Sequence, residues 1–250
     1  MEDNKELRLA VLIDAENAPR TALKEIMAEI AVYGAPTIKR IYGDWTTPSM
    51  ATWKPLLLEH AITPIQQYSY TTGKNSSDSA MIIDAMDILY SGRVDGFVLV
   101  SSDSDFTRLA TRLREAGMKV FGMGEKKTPQ PFIASCDRFI YIEVIRAAAK
   151  AQSRENQEPP KPGRKKSGGG TQTPKVPTEM VELIADSLED LADDEGYGML
   201  SEVGTLLLKK QPDFDSRNFG FKKLSSLIQS LGRFEIDKRQ TTYYIRDKEK

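Results

Sequence analysis

Apolar residues in the first 145 positions fall into short runs separated by segments with helical spacing. The runs LRLAVLI (7–13), TIKRIYG (37–43), ITPIQQY (62–68), GFVLVS (96–101), KVFGMG (119–124) and FIYIE (139–143) read as strands. Between them, apolar residues recur at helical intervals over 19–33, 55–60, 78–90 and 105–116, and Gly34, Gly92 and Gly117 close three of these segments. Strands that are apolar on both faces and alternate with helices predict a mainly parallel sheet flanked by helices, an α/β domain. No internal repeat is visible.

After position 176 the pattern changes. Helical spacing runs over 177–191, 200–210 and 219–231, followed by two strand-like runs, RFEID (233–237) and TTYYIRD (241–247). Three helices and a hairpin predict a small winged-helix α+β domain. The intervening AQSRENQEPPKPGRKKSGGGTQTPKV (151–176) is nearly empty of large apolar residues, so it cannot offset the entropy of ordering its chain. The expected organisation is therefore a domain over 1–150, a flexible linker over 151–176 and a second domain over 177–250.

Composition narrows the chemistry. The net charge is −1, with residues 150–171 at +4 between segments at −2 and −3, which argues against nucleic-acid coating by charge alone but leaves room for local basic grooves. Cys136 is the only cysteine, so a disulfide framework and a cysteine-rich zinc module are excluded; His60 is the only histidine, so catalysis has no His pair. The N-terminal stretch lacks a signal-peptide layout, and no apolar run approaches the ~20 residues of a membrane span. The expectation is a cytoplasmic protein without a membrane partner.

The informative polar residues stand where strands end. Asp14 follows LAVLI and Asp103 follows FVLVSS, and in open α/β sheets ligands bind beyond the carboxyl ends of the strands. Asp78 opens the helix that leaves the third strand. Clustered carboxylates repel one another and resist burial unless a cation compensates them. All-oxygen donors without His or Cys select Mg²⁺ or Mn²⁺ over zinc. Such ions can support phosphodiester hydrolysis with no histidine base. Each acid also has a plainer reading. Asp105 suits the N-cap of the helix over 106–116, Asp78 could cap its own helix, and Asn17 could cap the helix near Pro19 or orient a ligand. Asp44 ends the second strand, as a turn residue or a peripheral member of the acid site; Asp87 is expected in solvent, and Asp84 lies about 240° around the helix from Asp78. The stretch DSDFT also fits the D-x-D-x-T motif of haloacid-dehalogenase-like phosphatases, but there the motif follows the first strand, and here it follows the fourth.

Taken together, VLIDAENAP (11–19), KNSSDSAMIIDAMDIL (74–89) and VLVSSDSDFTRLATRLREAGMKVFGMG (98–124) resemble the NYN domain, a branch of the PIN-like nucleases that includes LabA-like proteins. The resemblance implies a PIN-like sheet, an acidic pocket for Mg²⁺ or Mn²⁺, and cleavage of RNA. It makes Asp14, Asp78 and Asp103 the catalytic, metal-binding acids, with Asp105 a fourth ligand; where relatives carry Gly, this chain has Ser102. Asn17, Lys74, Ser101, Ser102 and Arg108 are the expected substrate contacts. Lys39, Arg40, Lys54 and Arg112 are further candidates to guide phosphates, and Trp45 and Trp53 to stack bases.

The segment 196–247 resembles the OST-HTH/LOTUS domain, which implies RNA binding or a protein partner. There, Lys209, Lys210, Arg217, Lys222, Lys223, Lys238 and Arg239, with Phe219, Phe221, Tyr243 and Tyr244, could form a nucleic-acid surface. Phe221, Leu224 and Ile228 are spaced instead for a core. Three functions stay open at this point: a metal-dependent ribonuclease, a catalytically weak RNA-binding adaptor, and a haloacid-dehalogenase-like phosphohydrolase.

Overall fold

Successive side chains of a strand face opposite sides of a sheet, and in β1 (Arg8–Asp14) both sides are apolar. Leu9, Val11 and Ile13 enter one buried cluster, and Ala10 and Leu12 enter another. The computed structural model describes residues 6–68, 76–155 and 176–250. These fall in two compact units, Met1–Ala149 and Lys150–Lys250.

The first unit continues through α1 (Leu23–Ile30), β2 (Ala35–Gly43), α2 (Lys54–His60), β3 (Thr63–Gln66), α3 (Ser76–Ser91) and β4 (Gly96–Val100). It is completed by α4 (Thr107–Glu115), β5 (Lys119–Gly124), α5 (Gln130–Ser135), β6 (Arg138–Tyr141) and α6 (Ile142–Glu155). The six strands lie in the order β3-β2-β1-β4-β5-β6, and every neighbouring pair is parallel. Helices α1, α2 and α6 cover the Leu9/Val11/Ile13 face; α3, α4 and α5 cover the Ala10/Leu12 face. This is the expected sheet with helices on both sides.

The winding reverses between β1 and β4, because β2 and β3 extend one way and β5 and β6 the other. At such a switch point the two outgoing connections part and leave a crevice at the carboxyl ends of the strands. The same strand order serves dinucleotide-binding sheets, but the turn after β1 here reads DAENAP rather than a glycine-rich phosphate loop. Fold alone therefore does not decide the ligand.

Several elements differ from the sequence-based expectation. Residues 142–155 form a helix, so Glu143 is not in the sixth strand and the first residues of the expected linker, 151–155, are helical. The good helix formers of RAAAKAQ carry α6 past the point where polar composition takes over. The remainder of the expected linker, 156–175, lies outside the described residues. Helix α5 was not anticipated, because six residues are too few to show a period.

The second unit contains α7 (Thr178–Glu189), β7 (Tyr197–Met199), α8 (Leu200–Lys210), α9 (Leu224–Leu231), β8 (Phe234–Arg239) and β9 (Thr242–Asp247). The strands form an antiparallel sheet ordered β7-β9-β8 over a core that includes Ile184, Val203, Leu207, Ile228 and Ile245. The hairpin and three helices are as expected; β7 is a third strand that the sequence did not announce. The helix expected from Phe219 starts only at Leu224. Gly220, at φ 82°, takes the left-handed conformation and ends the short 3₁₀ turn Ser216–Phe219. Among the described residues no helix is long and apolar enough to cross a membrane.

Candidate metal centre

Strand periodicity decides where the first acid points. Asp14 has the parity of Ala10 and Leu12, so its side chain emerges on the α3/α4 side of the sheet, at the switch point. Ser101, just beyond β4, shares the parity of Phe97 and Leu99 and emerges on the same side. The two meet there: Ser101 Oγ donates to Asp14 Oδ2 at 2.8 Å.

Asp14 is 1% exposed, and hydrogen bonds compensate its burial. Oδ1 accepts from the backbone N–H of Glu16 (3.0 Å) and Asn17 (3.3 Å), and Oδ2 accepts from Asn17 Nδ2 at 2.8 Å in addition to Ser101. Four donors match the roughly four lone-pair sites of a carboxylate. Asn17 is thus tied to Asp14 by both its backbone and its side chain.

The Ser101 hydroxyl also accepts from the backbone N–H of Asp103 at 3.1 Å, which links the β1 acid to the loop after β4. Asp103 Oδ1 in turn accepts from Asp105 N at 2.9 Å, making Asp103 the N-cap of a 3₁₀ turn, Ser104–Phe106, that runs into α4. The cap expected of Asp105 therefore belongs to Asp103, since helical structure begins two residues earlier than the apolar pattern suggested. Ser102 Oγ accepts from Glu125 N at 2.8 Å and anchors the loop to the segment after β5. Both serine side chains are buried and bonded within the protein. Gly124 lets β4 and β5 approach here, because a Cβ there would lie 2.6 Å from the Ser101 carbonyl oxygen.

Asp78 enters from α3, in its first turn, and is also buried. Carboxylate oxygens of Asp78, Asp103 and Asp105 lie within 4.8 Å of one another, while Asp14 stands outside that group. Burial, followed by the charges of Asp14, Asp103, Glu16 and Asp105, pushes the Asp78 carboxyl up to about 7. Burial and like charges both disfavour the ionised carboxyl, and a bound cation would favour it. An oxygen-only donor set of this size suits Mg²⁺ or Mn²⁺.

Glu16 is the contributor that sequence reading missed. It is exposed, accepts from Ser77 Oγ at 3.3 Å, and adds to the negative field at Asp78. The available signal was its position two residues beyond Asp14, in DAEN.

Other acids and bases are brought elsewhere. Asp84 accepts from Arg40 and from the hydroxyl of the fully buried Tyr42, so neither Asp84 nor Arg40 belongs to the acid cluster. Replacing Asp84 with Ala should leave the Tyr42 hydroxyl without an acceptor and cost about 1–3 kcal/mol of stability, read by chemical denaturation. Lys39 donates to the His60 carbonyl, Asp44 binds Thr46 and Gln66 in a turn, and Asp87 is exposed. Trp53 is buried in the core, which withdraws it from stacking, and Trp45 is half-buried against the same core and donates to the Ile65 carbonyl at 2.9 Å.

Arg108 is exposed in the first turn of α4, one turn beyond Asp105, and Arg112 donates to Tyr90 Oη at 3.2 Å. Lys54 is exposed at the start of α2, and Lys74 lies outside the described residues. His60 ends α2, away from the acids, and burial pushes the Cys136 thiol up to about 12.

A family model for the NYN domain matches residues 8–143, and one for the OST-HTH/LOTUS domain matches residues 171–245. Among solved structures, the chain is similar to a protein of unknown function from Vibrio parahaemolyticus, at 21% identity and a TM-score of 0.49, covering 57% of this chain and 96% of that one. It is also similar to an uncharacterized protein from Nitrosomonas europaea studied by NMR, at 31% identity and a TM-score of 0.28, covering 37% and 90%. No curated protein matches.

Proposed function

The chain belongs to the NYN domain family, and from that premise we propose that it is a Mg²⁺- or Mn²⁺-dependent ribonuclease of the cytoplasm, with its OST-HTH/LOTUS domain recruiting RNA. The observation that carries the reading is the convergence of Asp78, Asp103 and Asp105 within 4.8 Å, at the sheet's switch point and beside Asp14. A bound ion would offset charge on a phosphodiester and make water a better nucleophile. Asp78, Asp103 and Asp105 would hold it.

The chain's own residues supply the rest. Asn17 and Ser101 fix Asp14, whose charge raises the demand for a cation at Asp78. The cap bond to Asp105 N fixes one oxygen of Asp103 and so orients the other. Ser102 steadies the loop through Glu125, and Arg108, with Lys74, would meet the phosphate backbone as it enters. His60 and Cys136 are not placed to act as base or nucleophile. A phosphatase of the haloacid-dehalogenase type would carry its motif after β1, whereas Asp103 follows β4.

The test uses the full chain and single-stranded RNA with Mn²⁺, with Mg²⁺ and with EDTA. Cleavage is expected with either ion and none with EDTA. Cleavage that survives EDTA removes the metal from the proposal. Binding without cleavage in any divalent ion leaves an adaptor instead.

A further inference from the structure

Winged-helix domains commonly read nucleic acid through a helix laid in a duplex groove, but α9, LSSLIQSL, carries no basic side chain. Several cations of this unit are already committed. Arg217 pairs with Asp215, Lys210 with Asp190, and Arg233 with Asp247 and Glu182. The helix itself therefore offers no cation to a phosphate backbone.

The outer face of the β7-β9-β8 sheet offers a different contact. Register places Tyr197, Arg246 and Glu235 in one row and Met199, Tyr244 and Asp237 in the next, while Gly198, Ile245 and Ile236 form the row on the core side. Arg239 reaches back from the hairpin. Its guanidinium lies 4.5 Å from the ring centroid of Tyr197 and 4.9 Å from that of Tyr244. Arg246 lies 4.9 Å from the Tyr197 ring. Four flat groups thus alternate as Arg246, Tyr197, Arg239 and Tyr244. An acid steadies each guanidinium: Asp237 at 2.9 Å from Arg239 and Glu235 at 2.6 Å from Arg246. These pairs fix the planes and largely cancel the charge. A phosphate arriving here meets carboxylates, whereas a nucleobase meets half-exposed rings and guanidinium planes.

We propose that this sheet face is a stacking platform for the bases of unpaired RNA. The assignment rests on reading the chain as an RNA-acting protein and adds which surface grips the strand and by what chemistry. Stacking on rings and guanidinium planes tolerates any base but requires it to be unpaired. With the arginines neutralised, affinity should fall only shallowly with salt, since few counterions are released.

The test measures anisotropy of labelled single-stranded RNA of mixed sequence, and of its matched duplex, on the full chain in EDTA. The single strand should bind more tightly than the duplex. Replacing Tyr197 and Tyr244 together with Ala should weaken single-strand binding about tenfold or more. Replacing both with Phe should preserve it. Arg239→Lys should weaken it although the charge is kept, because the plane is lost; this holds even where the Ala pair unfolds. The proposal is overturned if Arg239→Lys and the Ala pair bind like wild type, if the duplex binds as well as the single strand, or if the chain captures a protein here and no RNA. Cleavage with Mn²⁺ alongside unaltered binding by these variants sinks the platform alone. Single-strand binding lost in the variants, with no cleavage in any ion, sinks the ribonuclease reading alone.

Discussion

Asp103→Asn should lower RNA cleavage by about 10³-fold or more while leaving the protein folded. The size follows from the several kcal/mol that a metal site contributes to transition-state charge stabilisation, with each ~1.4 kcal/mol worth tenfold in rate. Asn is chosen because Asp103 has a second job. It is the N-cap whose Oδ1 accepts from Asp105 N, and Asn caps as well as Asp. The substitution therefore removes the charge but keeps the turn that leads into α4. Thermal unfolding should stay close to wild type in EDTA, and cleavage with Mn²⁺ or Mg²⁺ should nearly vanish. Undiminished cleavage in this variant would show that the acid cluster is not the catalytic centre.

The second large effect lies at Asp78, where proton, cation and stability are linked. Its carboxyl stands at about 7 in the folded protein, well above an ordinary aspartate. The folded chain thus holds this proton more tightly than the unfolded chain does. From this group, stability of the cation-free protein falls as pH rises from about 4 to about 7, and the penalty is complete above that. A divalent cation takes only the ionised form, so its apparent affinity should fall up to ~tenfold per pH unit below about 7. Differential scanning with and without Mn²⁺ should show a rise in Tm at pH 8 that is nearly lost at pH 5. Asp78→Asn should raise the cation-free Tm at pH 8, abolish the response to Mn²⁺ and abolish cleavage, the pattern of a site that is strained for function. Equal Mn²⁺ stabilisation at both pH values would contradict the linkage.

Asp84 gives the opposite signature, although it sits on the same helix. Its carboxylate is occupied by Arg40 and Tyr42, so its loss should weaken the fold without relieving any repulsion. The six-residue spacing from Asp78 already separated the two acids by helical geometry. Spacing could not say that Arg40 and Tyr42, from β2, would be waiting there.

Helix starts were less legible. The apolar pattern after β4 begins at Phe106, which made Asp105 look like the cap. A 3₁₀ turn has little apolar signature of its own, and it moved the cap to Asp103. The same limit hid α5 and β7, which are too short to carry a period, and composition hid the end of α6 inside a polar stretch.

By itself the sequence determined the alternation of strands and helices, the two-domain layout and the presence of acids at the ends of two apolar strands. These are local properties, set by side-chain period and by what a short stretch of chain can bury. Only the tertiary structure decided that β1 and β4 are neighbours, that Asp14 and Ser101 emerge on one side, and that Asp78 arrives there from α3. It also brought Asp78, Asp103 and Asp105 together beside Asp14, whose oxygens accept four hydrogen bonds, and lined up Arg246, Tyr197, Arg239 and Tyr244 across three strands. Strand order and register join residues far apart in the chain, and no local pattern encodes which strand will lie beside which.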